Sequence, residues 1–202
     1  TLSARKIWFD DNVQRLNVEE RGELLGSFQA EDKILTIKQS GEIELKTFDI
    51  SNHFDQDMIL IEKHNPKKPI TAIYFDGQKR SYYVKRFLIE NISVSKLRFI
   101  TDHKESFLEI VSTDWKPQAE LLFIKERGKE RKKEIINLEE FISVKGEKAL
   151  GNKLTSRKVK EITLLEPLPY VEEDQTVKTQ EIELNIINDN EDDKEGQITL
   201  EL

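Results

Sequence analysis

Four times along the chain a short apolar run reaches a tight turn and returns as a second run, over residues 6–17, 33–45, 70–84 and 108–122. The turns fall near Asp10-Asp11, Ser40-Gly41, Asp76-Gly77 and Trp115-Lys116, so successive hairpins lie 30, 36 and 38 to 39 residues apart. A lone hairpin cannot cover its own faces, and one that recurs at this period predicts a repeat fold in which neighbours bury one another. The simplest such fold is all-β and propeller-like, with about four blades of antiparallel strands. Trp8 and Trp115, each beside its turn, are expected to pack against a neighbouring blade.

Short strands are also expected between the hairpins, at 57–62, 96–100 and 159–165, the last with Val159, Ile162 and Leu164 turned inward. Residues 134–144 fit either one helical turn or a strand. Gly22, Gly77, Gly146 and Gly151 read as turn or bulge residues that permit positive φ. Pro167 and Pro169 end the regular part, giving a β domain over 1–170 and a tail over 171–202. The tail is polar enough to be largely disordered, with two apolar alternations, 182–187 and 197–202, able to dock as edge strands.

The formal net charge is −7, which by itself argues against a nucleic-acid partner. Its distribution reverses that reading. The tail holds 11 acidic residues and two lysines, a net of −9, and leaves the body with 30 basic against 28 acidic, or +2. Within the body, 125–160 carries 12 Lys and Arg against six Glu, or +6. The basic residues form two groups, Lys125, Arg127, Lys129, Arg131, Lys132 and Lys133, then Lys145, Lys148, Lys153, Arg157, Lys158 and Lys160. They read as a surface that tracks phosphates, or alternatively as an ordinary solvated face in which Lys and Glu alternate.

Sites for chemistry are not evident. The chain contains no cysteine, which removes thiol nucleophiles, Cys-type zinc sites and disulfides together and suits a reducing cytoplasm. It has no glycine-rich phosphate loop, no His-Glu-x-x-His and no Gly-x-Ser-x-Gly. His53, His64 and His103 lack a second ligand at metal-binding spacing, and pairs such as Asp10-Asp11 lack an apolar setting that would split their pKa values. No catalytic or metal-ligating residue is nominated. The absence of an apolar run near 18 residues, together with an N-terminus unlike a signal peptide, predicts a soluble, cytoplasmic protein with no membrane partner. A first residue of Thr is expected of a piece of something longer.

Three stretches carry a resemblance. Arg5-Lys-Ile-Trp-Phe-Asp-Asp-Asn-Val-Gln-Arg-Leu-Asn17, then Glu20-Arg-Gly-Glu-Leu-Leu-Gly26, and above all Gly146-Glu-Lys-Ala-Leu-Gly-Asn-Lys-Leu-Thr-Ser-Arg-Lys-Val-Lys-Glu-Ile162 resemble the C-terminal domain of bacterial type IIA topoisomerase A subunits. The likeness is to topoisomerase IV and gyrase A subunits of the Bacteroidetes type and covers roughly residues 1–170. It implies a β-pinwheel, a propeller variant whose neighbouring blades exchange strands, with a basic rim that binds and bends double-stranded DNA for the cleavage core. It further implies an acidic tail that modulates wrapping, and a topoisomerase B subunit partner reached through the full-length A subunit. The domain itself is expected to be monomeric and to hold no cofactor. ATP and Mg2+ are implied for the holoenzyme only, with the cleavage tyrosine and the ATPase outside this chain.

In gyrase a box of the form Gln-Arg-Arg-Gly-Gly-Lys-Gly is implicated in chiral wrapping. The comparable segment here is 18–26, in which only Arg21 and Gly22 match and three Glu reverse the charge. The resemblance therefore implies a role like that of topoisomerase IV, decatenation and relaxation, ahead of gyrase-type wrapping. A module that binds protein partners, with charge serving solubility, is the reading from another class, and convergence of the late basic groups on one rim separates the two.

Overall fold

The computed structural model describes residues 4–89, 96–129 and 132–171. Two compact units divide the chain, Thr1–Leu168 and Pro169–Leu202. In the second unit only Pro169, Tyr170 and Val171 are described, all exposed, so the expected disorder of the tail and its two docking strands lie outside the described residues.

The first unit is all-β, with strands in four antiparallel sheets and one helical turn among the described residues. Strands β1 (Arg5–Asp10), β2 (Arg15–Asn17) and β3 (Glu23–Phe28) make the first sheet. Strands β4 (Ile34–Lys38), β5 (Glu42–Lys46) and β6 (Met58–Lys63) begin the second. The hairpin of β7 (Ile70–Asp76) and β8 (Ser81–Phe87) then opens the third sheet, but the chain next turns back. Strand β9 (Lys96–Arg98) pairs with β5 of the sheet before it, and only afterwards does β10 (Phe107–Ser112) join β7. The fourth sheet repeats the detour. Strands β11 (Gln118–Phe123) and β12 (Glu134–Asn137) are followed by α1 (Leu138–Phe141), then β13 (Asn152–Lys153) returns to pair with β8, and β14 (Val159–Leu165) completes the sheet against β11.

The two middle sheets accordingly share one strand order, β6-β4-β5-β9 and β10-β7-β8-β13, and in each the last strand comes from beyond the next hairpin. This is the strand exchange that the resemblance implies. In the first blade the equivalent place is taken by the segment after β5 without a strand: Arg15 meets His53 at 3.4 Å and Phe54 packs edge-on against Phe9 at 5.5 Å. The fourth sheet, β12-β11-β14, has three strands.

Three apolar clusters join the sheets in succession. Ile7, Phe9, Phe28, Ile34 and Phe54 join blades 1 and 2. Leu35, Ile37, Ile43, Ile70, Ala72, Tyr74 and Phe87 join blades 2 and 3. Ile73, Val84, Ala119, Leu121, Leu138 and Ile162 join blades 3 and 4. Since successive side chains on a strand face opposite ways, β4 and β7 in the middle blades are buried on both faces, which explains their unbroken apolar runs. Strand β11 in the last blade is buried on one face and alternates. Neighbouring sheets approach along β3 against β6 and β10 against β14. Those strands are the inner edges, and β2, β9, β13 and β12 the outer ones.

The fourth expected hairpin, 108–122, does not form. Strand β10 pairs with β7 and β11 with β12 and β14, so the turn at Trp115-Lys116 is the crossover between blades 3 and 4. The true fourth hairpin is β11/β12, and the number of blades stays at four. Trp8 and Trp115 are consequently not equivalent, the first lying in β1 on the face away from Ile7 and Phe9, the second in that crossover. Residues 134–144 contain both expected elements, β12 followed by α1, whose first turn is capped by Asn137 Oδ1 accepting from the Glu139 amide at 3.1 Å. In β14, Ile162 is buried, Val159 half-buried and Leu164 38% exposed. A bulge at Lys160, between the Leu122–Glu161 and Phe123–Val159 pairs, is what lets Val159 and Ile162 face the same way.

Candidate nucleic-acid interface

The first basic group is carried by the β11/β12 hairpin. Its tip is a two-residue turn, with the Lys129 amide donating to Glu126 O at 3.1 Å and φ positive at both central residues, Arg127 (50°) and Gly128 (74°). Two consecutive positive φ values match the twist of the flanking strands and hold the turn tight. Lys125, Arg127 and Lys129 are thereby set on an exposed tip, and Lys132 and Lys133 are exposed just before β12. Lys133 also pairs with Glu120 at 2.8 Å. Arg131 lies outside the described residues.

Part of the second group folds onto the same blade. The Ile124 amide donates to Lys158 O at 2.9 Å, and Phe123 is paired with Val159, so Arg157, Lys158 and Lys160 sit beside the base of the hairpin. The Arg157 guanidinium lies over the Phe123 ring at 5.4 Å and pairs with Glu134. Two groups some thirty residues apart in sequence thus meet on one sheet because β14 runs back along β11.

Lys145, Lys148 and Lys153 are elsewhere, on the outer edge of blade 3. The Lys145 amide donates to Arg86 O at 2.8 Å and the Leu154 amide to Tyr82 O at 2.9 Å, so that 145–154 is laid along β8. Within it, Asn152 pairs with Val84 and Lys153 with Tyr83, Lys145 Nζ donates to Asn152 Oδ1 at 3.2 Å, and Lys148 and Lys153 are exposed. Gly151 makes this close approach possible: at φ +91°, its absent Cβ would fall 2.1 Å from Val84 O. Gly22 is likewise at positive φ, whereas Gly77 and Gly146 are not. Gly77 is required instead by the crowding of His103 and Glu105 around it.

Arg21 and Gly22 belong to the turn between β2 and β3, far in sequence from the basic groups. The turn is built by buried Asn17, whose Oδ1 accepts from the Glu19 and Arg21 amides at 3.1 Å while its Nδ2 donates to Arg21 O at 2.8 Å. Arg21 is exposed and ion-paired to Glu19. Sequence reasoning passed over Lys96 and Arg98, which β9 places on the outer edge of blade 2. The Lys-Leu-Arg alternation marks a strand, but its position at an edge depends on pairing with β5. Both are opposed by carboxylates, Lys96 by Glu42 at 3.6 Å and Arg98 by Asp102 at 3.0 Å, as suits an edge strand guarded by charge.

The geometry offers phosphate contacts more readily than bond-making chemistry. No group of three metal-ligating side chains occurs among the described residues. Burial lowers the His64 pKa, and burial pushes the Tyr74 and Tyr82 hydroxyls up to about 12, the reverse of what a nucleophile needs. No helix among the described residues is long and apolar enough to cross a membrane.

The family described as Topoisomerase C-terminal domain, Bacteroidota, matches residues 15–166. No curated protein matches the chain.

Proposed function

The chain belongs to the topoisomerase C-terminal domain family of Bacteroidota, and we propose that it binds and bends duplex DNA through the outer side of blades 3 and 4, presenting the duplex to the cleavage core of a topoisomerase IV-like enzyme in the cytoplasm. The observation that carries this reading is the arrangement of the late basic residues. Lys125, Arg127, Lys129, Lys132, Lys133, Arg157, Lys158 and Lys160 are all exposed on blade 4, with Lys145, Lys148 and Lys153 on the adjacent outer edge of blade 3. Phosphate contacts position a duplex without reading its sequence, so binding is expected to be salt-sensitive and weakly selective. In the first blade Arg21 is engaged by Glu19 and followed by Glu23, which supports capture of a duplex over gyrase-type chiral wrapping.

Duplex affinity measured against salt tests the reading. Each lost phosphate contact lowers the slope of log affinity against log salt by about 0.9. Replacing Lys129, Arg131, Lys132 and Lys133 with Ala is expected to reduce both affinity and slope, and an unchanged slope would sink the assignment. In the same assay, removing 171–202 is expected to strengthen binding through loss of the acidic competitor; weaker binding would make the tail a structural element. A plasmid relaxed in the presence of the domain is expected to show no directional change in linking number, and a directional change would restore the wrapping alternative.

A second reading, a surface for protein partners, draws on the carboxylates that answer Lys133, Arg157, Lys96 and Arg98. It predicts no salt-dependent duplex affinity at all.

A further inference from the structure

Lys85 is an interior lysine, 3% exposed in the middle of β8, on the face that packs toward blade 2. A lysine there costs free energy unless its ammonium is fully engaged, and an apolar residue would fill the same space more cheaply. Its Nζ donates to Phe99 O at 2.5 Å and to Glu147 O at 2.7 Å, with the Phe87 and Phe99 rings 5.4 and 5.7 Å away. The two carbonyls belong to the two segments that strand exchange brings to this place, one following β9 and the other preceding β13. Beside it, Tyr74 Oη donates to Leu150 O at 2.8 Å.

What these two side chains hold is a polar turn. Between Lys145 and Leu154 the only large apolar side chain is Leu150, which is 40% exposed. The turn is closed internally by the Ala149 amide on Gly146 O at 3.0 Å. Backbone bonds also tie its two ends to β8, Lys145 to Arg86 and Leu154 to Tyr82. The carbonyl taken by Lys85 immediately precedes Lys148, and the one taken by Tyr74 immediately precedes Gly151, so both residues act where the turn leaves the sheet.

We infer that Lys85, assisted by Tyr74, is a positioning residue for nucleic acid: it fixes the 146–151 turn on blade 3 so that Lys148 and Lys153 are presented together to duplex phosphates. This rests on the proposed function. Lys85 touches no phosphate in this role, since it is buried.

The test uses the chain, Lys85→Met, the pair Lys148→Ala with Lys153→Ala, and the triple variant. Duplex affinity against salt is expected to lose about 1.8 from its slope in Lys85→Met, the value of two contacts. The triple variant is expected to be no worse than the Lys148→Ala, Lys153→Ala pair, because the loss is the same one. A wild-type slope in Lys85→Met, or losses that add in the triple variant, overturns the inference while leaving the proposed function standing. A wild-type chain without salt-dependent affinity overturns the proposed function, and the presentation to DNA with it. If Lys85→Met does not fold, Tyr74→Phe removes one of the two bonds and keeps the ring. Amide exchange at 149–151 is then expected to quicken about tenfold with a smaller loss of slope, and unchanged exchange and slope together overturn the inference.

Discussion

The hairpins β7/β8 and β11/β12 occupy the same place in consecutive blades and are packed differently. In β7, Ile70, Ala72 and Tyr74 face blade 2 while Ile73 faces blade 4, so the strand has no solvent face to spend on charge. In β11, Ala119, Leu121 and Phe123 face blade 3, and Gln118, Glu120 and Leu122 face away. The outer edge of blade 3 is covered by β13, whereas β12 has only β11 as a partner among the described strands. Even the turns differ. That of blade 3 is fixed by Asp76, whose Oδ1 accepts the Gln78 and Lys79 amides at 2.9 Å. That of blade 4 has Arg127 and Gly128 at positive φ. An inner hairpin is specified by packing on two sides, and an end hairpin by packing on one.

The contrast is broken most sharply by truncating one side chain in each strand. Ile73→Ala, at 0% exposure, is expected to cost about 3–4 kcal/mol in urea unfolding, and Leu122→Ala, half-buried on the outward face, about 1 kcal/mol. Equal costs would mean that blade 4 has a cover on its outward side. Glycines give the next largest difference. Gly151→Ala combines a positive φ with a contact of 2.1 Å to backbone and is expected to lose more than about 2 kcal/mol, whereas Gly128→Ala, with nothing within 4 Å, loses about 1 kcal/mol from φ alone. Thermal melts of the two variants decide it.

Charge at the two tips sharpens the same point with a smaller effect on stability. Replacing Lys125, Arg127 and Lys129 with Ala is expected to shift stability by no more than about 0.5 kcal/mol while removing about 2.7 from the salt slope of duplex binding. The matching change at Lys79 and Arg80 is expected to leave the slope alone, because Lys79 lies over the Tyr83 ring at 5.3 Å and Arg80 faces Glu105 at 3.4 Å. A loss of slope at both tips would move the interface from the end blades to the whole set of turns. Blade 3 also carries a pH dependence. Burial pushes the Lys85 ammonium down to about 8 from its ordinary 10.5, with the Glu147 carboxylate opposing the shift. In that interval the unfolded chain binds more protons than the folded one, so stability rises with pH across it and the gain vanishes below about 8. From about pH 7 to about pH 9 the stability of the wild type is expected to rise by about 1 kcal/mol relative to Lys85→Met, and a flat difference would show Lys85 to be solvated.

Three of the four hairpins were legible because turn chemistry is local: Asp10, Gly41 and Asp76 each sit where the chain must reverse within a few residues. The fourth was misplaced because strand, turn and strand look alike whether the two strands pair with each other or with different neighbours. Around Trp115 the partners are β7 on one side and β12 and β14 on the other, a choice made by long-range packing. The real hairpin at 118–137 was hidden by a charged interval that resembles any solvated surface. For the proposed interface, the two basic groups stand in the sequence, but not that β14 would carry Arg157, Lys158 and Lys160 to the first group while β13 kept Lys153 with blade 3. Lys85 gave no signal, since a lysine amid a strand ordinarily points to solvent.

The period of the apolar runs, by itself, determined that the chain would be all-β and that its hairpins would lean on one another, because neither face of a lone hairpin can stay wet. The distribution of charge determined where along the chain basic residues gather, and so which part is proposed to meet phosphates. Which strands are exchanged was decided only in three dimensions: β9 and β13 are three and two residues long and carry no pattern that names a partner. Their pairing follows from which sheet edges remain open after the central hairpins have stacked, and that depends on the packing of all the blades together.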